Sequence, residues 1–123
     1  MEDFVPFKLA QKLQEKGLIL EETEIYGIFD SDGLFHSQLY FNYIETMDCD
    51  EIVAPTISQI LKWLRKEKKI HIGFGYSPRK KWRYVVMYMD DRFYNRATLA
   101  VDGFLKIEQA ALAGIEYVLD NLI

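Results

Sequence analysis

Apolar residues recur along this chain with two periods, and the switches between them mark out its elements. Leu9, Ala10 and Leu13 form a stripe at helical spacing. Pro6 suits a first helical position and Gly17 a C-terminal stop, so a helix is predicted from Pro6 to Lys16. The pattern then changes. Ile25 to Phe29 and Leu34 to Tyr40 are rich in β-branched and aromatic residues, and Asp30-Ser31-Asp32-Gly33 between them is turn chemistry, which predicts a hairpin. An irregular acidic loop is expected from about Asn42 to Pro55. Thr56-Ile57-Ser58-Gln59 then fits a capping box, in which two side chains satisfy free backbone N–H groups at a helix start. Ile57, Ile60, Leu61 and Leu64 mark the buried face of that helix. Lys62, Arg65, Lys66 and Lys69 fall mostly on its remainder.

A second hairpin follows. Setting Tyr76 opposite Trp82 across a loop from Ser77 to Lys81 pairs Phe74 with Tyr84, Ile72 with Val86 and Ile70 with Tyr88 on one face. The other face holds His71 beside Met87, Gly73 beside Val85 and Gly75 beside Arg83. Both faces are partly apolar, so periodicity leaves open which one is buried. The last helix is expected from about Lys106 to Leu122, with Ile107, Ala111, Ile115, Val118, Leu119 and Leu122 on a broad apolar stripe. Gly114 costs about 1 kcal/mol inside a helix and so points to a close approach to the sheet. The order α-ββ-α-ββ-α predicts an α+β fold: a four-stranded antiparallel sheet built from two hairpins and packed against three helices. No linker or repeat divides residues 1–123, which predicts a single domain.

Composition narrows the class. Half of the 123 residues are hydrophobic and 15% are aromatic, which excludes disorder. The start, Met1-Glu2-Asp3-Phe4-Val5-Pro6, lacks a signal-peptide pattern, and no apolar run reaches the roughly 20 residues that span a bilayer. A cytoplasmic location with no membrane partner is the expectation. The lone Cys49 has no partner for an internal disulfide.

Charge is segregated along the chain. From Gly17 to Leu61 there is no Lys or Arg, and nine acidic residues give a net of −9. From Lys62 to Arg83 nine basic residues face Glu67 alone, a net of +8. Such a split predicts either internal neutralisation or association with another protein or a second copy, as a homo-oligomer.

The layout Ala54-Pro55-Thr56, Gln59-Ile60-Leu61-Lys62-Trp63-Leu64-Arg65 and Lys69-Ile70-His71-Ile72, with the ending Glu108-Gln109-Ala110-Ala111-Leu112-Ala113-Gly114-Ile115, resembles a family of short hypothetical proteins from Bacteroidetes genomes and their phages. The resemblance covers roughly the C-terminal two-thirds, on motifs of helix caps and cores. It implies a bacterial or mobile-element origin and carries over no activity or catalytic residue.

Candidate chemistry centres on two basic aromatic segments. Arg79, Lys80, Lys81, Trp82 and Arg83 at the second hairpin, then Arg92, Phe93, Tyr94 and Arg96, combine cations with aromatic faces, a composition enriched at interfaces. The alternative partner is single-stranded nucleic acid, gripped through the basic aromatic hairpin: Lys62 to Arg83 combines nine basic residues with Trp63, Phe74, Tyr76 and Trp82. Gly73-Phe74-Gly75-Tyr76 resembles the middle of the aromatic motif of RNA-recognition domains, but Ile72 stands where that motif has Lys or Arg, Pro78 interrupts it, and a helix precedes it directly. Its bland reading is a packed hairpin with a solvated basic rim.

Catalysis finds less support. Cys49 lies between Asp48 and Asp50, and negative neighbours raise a thiol's pKa and weaken it as a nucleophile. His36 and His71 lack the spacing of a metal motif. Asp30-Ser31-Asp32-Gly33 has its glycine fourth, where a calcium loop needs it sixth, and Phe41 at its twelfth position. Asp90-Asp91 reads as a strand terminator. The sequence therefore predicts a small non-enzymatic binding or accessory protein with no catalytic residue, metal or cofactor.

Overall fold

The local signals for helices and turns become structure nearly where they stand. The computed structural model describes residues 3–18, 25–40, 51–88 and 96–123. Among them the chain packs as two units, Glu2–Gln59 and Ile60–Ile123.

In the first unit Pro6 is the extended N-cap of α1 (Phe7–Glu15), which buries Leu9, Ala10 and Leu13. Gly17 follows with a φ of +84°, a left-handed value that glycine adopts without strain. Strands β1 (Ile25–Phe29) and β2 (Phe35–Tyr40) pair antiparallel, and Asp30 builds the turn between them. Its carboxylate Oδ1 accepts hydrogen bonds from the N–H groups of Asp32 (2.9 Å) and Leu34 (3.0 Å). A third strand, β3 (Ile52–Ala54), pairs antiparallel with β1, Ile28 lying opposite Val53. An aromatic chain braces the unit: Phe4 on Phe35, Phe35 on Phe29 and Phe29 on Phe7, at centroid separations of 5.1, 5.4 and 5.2 Å. The ring of Phe35 occupies the space where a Cβ on Gly27 would stand, so Gly27 serves a close approach.

Helix α2 (Ile57–Trp63) opens on the predicted capping box. The Thr56 N–H donates to Gln59 Oε1 at 2.8 Å, and the Gln59 N–H donates to Thr56 Oγ1 at 3.3 Å. Ile57, Ile60, Leu61 and Leu64 are all buried, as their spacing predicts. The helix does not end as an α-helix. Leu64–Lys68 widens into one π-helical turn, closed by Lys69 in the left-handed region (φ 56°), whose N–H reaches the Leu64 carbonyl.

In the second unit β4 (Ile70–Tyr76), β5 (Trp82–Tyr88) and β6 (Arg96–Phe104) form an antiparallel meander in the order β4-β5-β6. The β4–β5 register matches the sequence pairing throughout, from Ile70 opposite Tyr88 to Tyr76 opposite Trp82. Helix α3 (Ile107–Asn121) lies on the face of Ile70, Ile72, Tyr84 and Val86, and buries Ala110, Ala111, Ile115, Val118 and Leu119. A Cβ on Gly114 would meet Tyr84 at 3.1 Å and Ile72 at 3.2 Å. The missing side chain is what lets helix and sheet approach.

The α+β class and the three helices stand, but the single four-stranded sheet is corrected. There are two three-stranded sheets, β2-β1-β3 and β4-β5-β6. A hairpin strand with unpaired N–H and C=O groups gains by taking a third partner. Each hairpin takes its own, β3 from the expected acidic loop and β6 from the stretch before α3. Among the described residues no helix is long and apolar enough to cross a membrane.

Candidate binding surface

The β4–β5 hairpin tip gathers the first group of candidate residues. The Ser77 N–H donates to the Lys81 carbonyl (2.8 Å), and the Lys80 N–H donates to the Ser77 carbonyl (2.9 Å). Lys80 takes a left-handed φ of 60°, which closes the loop tightly. The side chains of Arg79, Lys80, Lys81 and Arg83 are all exposed. None of the four forms an ion pair with another described residue. At the base of the loop Tyr76 and Trp82 are cross-strand partners with rings 5.1 Å apart, and Tyr76 remains 58% exposed. The Arg83 side chain lies over Gly75, its Nε 2.7 Å from where a Cβ there would stand. Four cations and an aromatic pair thus share one end of the sheet.

The second group is placed differently. Arg92, Phe93 and Tyr94 lie outside the described residues, as do Cys49 and Asp90-Asp91. Arg96 opens β6 opposite Tyr88, whereas Trp82 pairs with Phe104 at the other end of β5. Six residues of strand, roughly 20 Å, separate Arg96 from the hairpin tip.

A second basic cluster stands at the other end of β4, where the sequence pattern places its lysines along the side of a helix. Lys66, Lys68 and Lys69 are exposed on the π-helical turn and its cap. Lys68 Nζ sits 5.6 Å from the centroid of the Trp63 ring, a cation–π contact. The sequence signal was present in the run of lysines, but an α-helix would have aimed them elsewhere.

The buried face of the hairpin is now decided. Ile70, Ile72, Tyr84 and Val86 are covered, so Tyr84 offers no stacking surface. Its hydroxyl pKa is raised, first by burial and then by Tyr117. The opposite face carries His71, Gly73, Gly75, Arg83, Val85 and Met87. The His71 ring reaches over Gly73, and its Nδ1 is buried without a hydrogen-bond partner among the described residues. Burial, then the charge of Arg65, lowers its pKa, so the ring is neutral at pH 7.

His36 is the histidine that meets a carboxylate. Its Nε2 lies 3.0 Å from Asp30 Oδ2, at the hairpin turn and with the ring 59% exposed. The pair extends the turn's own hydrogen bonding. That contact, then the Leu34 N–H, lowers the Asp30 pKa. A depressed carboxylate stabilises the fold above the ordinary aspartate range, and loses that contribution as pH falls through its folded value. Amide-exchange protection at Asp32 and Leu34 is therefore expected to hold from neutral pH into the ordinary aspartate range and to collapse below it. The variant His36→Ala should move the Asp30 carboxyl titration upward, read by carbon-13 NMR. An unchanged midpoint would mean that His36 does not set the Asp30 titration.

Among the described residues no three His, Cys, Asp or Glu side chains come together as a metal site. No family model, curated protein or solved structure matches this chain.

Proposed function

We propose that this chain is a non-enzymatic binding protein whose basic second unit associates with acidic protein surfaces, including the first unit of another copy. The division of charge supports this reading. Residues 2–59 hold twelve acidic and three basic side chains, a net of −9. Residues 60–123 hold twelve basic and seven acidic side chains, a net of +5. The charge boundary at Leu61–Lys62 thus falls within two residues of the unit boundary. Opposite fields of this size steer association and favour unlike surfaces. The observation that carries the reading is the hairpin tip, where Arg79, Lys80, Lys81 and Arg83 are exposed without an ion pair to any described residue.

Light scattering against concentration and salt tests it. The mass is expected to rise with concentration at low salt and to return to the monomer value as screening shortens toward ~3 Å at 1 M. The exposed double variant Arg79→Glu/Lys81→Glu should stay monomeric at every salt. A wild-type chain that is monomeric throughout overturns self-association.

A second reading, single-stranded nucleic-acid binding, is favoured by one observation: the Tyr76–Trp82 pair stands partly exposed among those cations. Fluorescence titration with oligothymidylate tests it. Binding that weakens steeply with salt and quenches Trp82 supports it, and no quenching at low salt removes it.

A further inference from the structure

The hairpin tip is one end of a longer feature. Strand β4 is an edge of its sheet, and its seven residues, Ile70–Tyr76, carry no Lys, Arg, Asp, Glu or Pro. It pairs with β5 without a register shift. Its residues make no hydrogen bond to any described residue beyond that ladder, so the outward N–H and C=O groups are unpartnered there. The opposite edge is built otherwise. Strand β6 shifts register twice against β5, and Gly103 takes a φ of +108°. Bulges of this kind blunt an edge against strand addition. In the other sheet, β2 shifts register against β1, and β3 is three residues long. Of the four edges described, β4 alone is long, regular and uncharged.

The two ends of β4 carry like charge. Lys68 and Lys69 precede it, and Arg79, Lys80 and Lys81 follow it, about 20 Å apart by strand rise. Two copies of β4 paired antiparallel would set cation against cation at both ends, which disfavours that dimer. Acidic residues at the same spacing reverse the sign. Gly73 and Gly75 bring no side chain of their own to the face of β4 away from α3, where the nearest atoms belong to His71 and Met87 at Gly73 and to Arg83 at Gly75.

We infer that β4 is a strand-addition site, whose occupant is an extended segment of a partner protein with acidic residues at both ends and β-forming residues between. Main-chain hydrogen bonds along the edge supply affinity, and the terminal cations select the acidic segment. This rests on the binding reading above and adds both the mode and the class of partner.

The test uses the intact chain and two fluorescent nonapeptides. The first has two glutamates at each end and alternating valine and threonine between. The second is identical except for a central proline, which keeps the charge but breaks strand pairing. The first is expected to bind about tenfold more tightly than the second. It should also slow amide exchange at alternate residues of β4, while Arg79→Glu/Lys81→Glu, confined to the exposed loop, loses binding without loss of folding. Equal affinity for both peptides with β4 exchange unchanged overturns strand addition and leaves a basic surface that reads charge alone. Failure of both peptides to bind, with salt-dependent self-association intact, overturns the inference but not the proposed function. Oligothymidylate binding more tightly than either peptide, with perturbation confined to the hairpin tip, also overturns it.

Discussion

Replacing Gly114 by valine is expected to unfold the second unit or to destabilise it by about 3 kcal/mol, toward the upper end of what overpacking a core costs. A Cβ alone at this position would stand 3.1 Å from two ring carbons of Tyr84 and 3.2 Å from a methyl of Ile72. Valine adds two further methyl groups to a space already closed. None of the three elements can yield freely. Tyr84 is 4% exposed and Ile72 3%, and both lie on strands held in a regular ladder. Valine is also a poorer helix former than alanine, although replacing glycine returns part of that loss. The cost should be coupled to its neighbour. Shortening Tyr84 to leucine removes the ring that obstructs position 114. The pair Gly114→Val/Tyr84→Leu is therefore expected to be less destabilised than the two single variants predict together. Chemical denaturation followed by tryptophan fluorescence measures this directly, since Trp63 and Trp82 both lie in the second unit. Full additivity would mean that helix α3 and the sheet are not in the contact described.

Leu13→Ala is expected to cost about 2–5 kcal/mol, the range for truncating a fully buried leucine. Leu13 has no exposed surface, and it lies on the same helix stripe as Leu9 and Ala10. A natural domain holds only about 5–15 kcal/mol in total, so this loss takes a large share. Far-UV circular dichroism against denaturant reads the shift in midpoint. Tryptophan fluorescence adds a separate readout, because the first unit contains no tryptophan. If residues 1–123 fold as one cooperative domain, as the absence of a linker predicts, the fluorescence transition moves with the dichroism. A dichroism loss with the tryptophan transition unmoved would mean that the two units melt separately. A loss well below 2 kcal/mol would mean that Leu13 is not the core residue its burial indicates.

Short-range features were legible in the residues. The Thr56–Gln59 capping box, the Asp30 turn and the whole β4–β5 register depend on side chains close in sequence, whose preferences act before any tertiary contact forms. Gly114 was likewise readable as a close approach, because a glycine inside a long apolar helix needs a packing reason. The third strands were not. Strand β3 is three residues long and is a strand only because β1, more than twenty residues earlier, offers it an edge. Strand β6 contains Thr98, Leu99, Val101 and Phe104, a β-rich signal that a stretch between charged segments obscured. The candidate surface followed the same division. Arg79 to Arg83 are neighbours in a tight loop and stayed together. Arg96, assigned to the surface by composition, lies at the far end of the ladder from that loop.

By itself, the sequence determined the helices, both hairpins and the partition of charge between the two halves of the chain, because caps, turns and periodicity are local. Only the tertiary structure decided that the hairpins enter separate sheets, that the Tyr84 face lies beneath α3, and that β4 is left as an unbulged edge with cations at both ends. Backbone pairing between distant segments depends on which edges meet in space. One strand's side-chain pattern does not encode which neighbour will take its free hydrogen bonds.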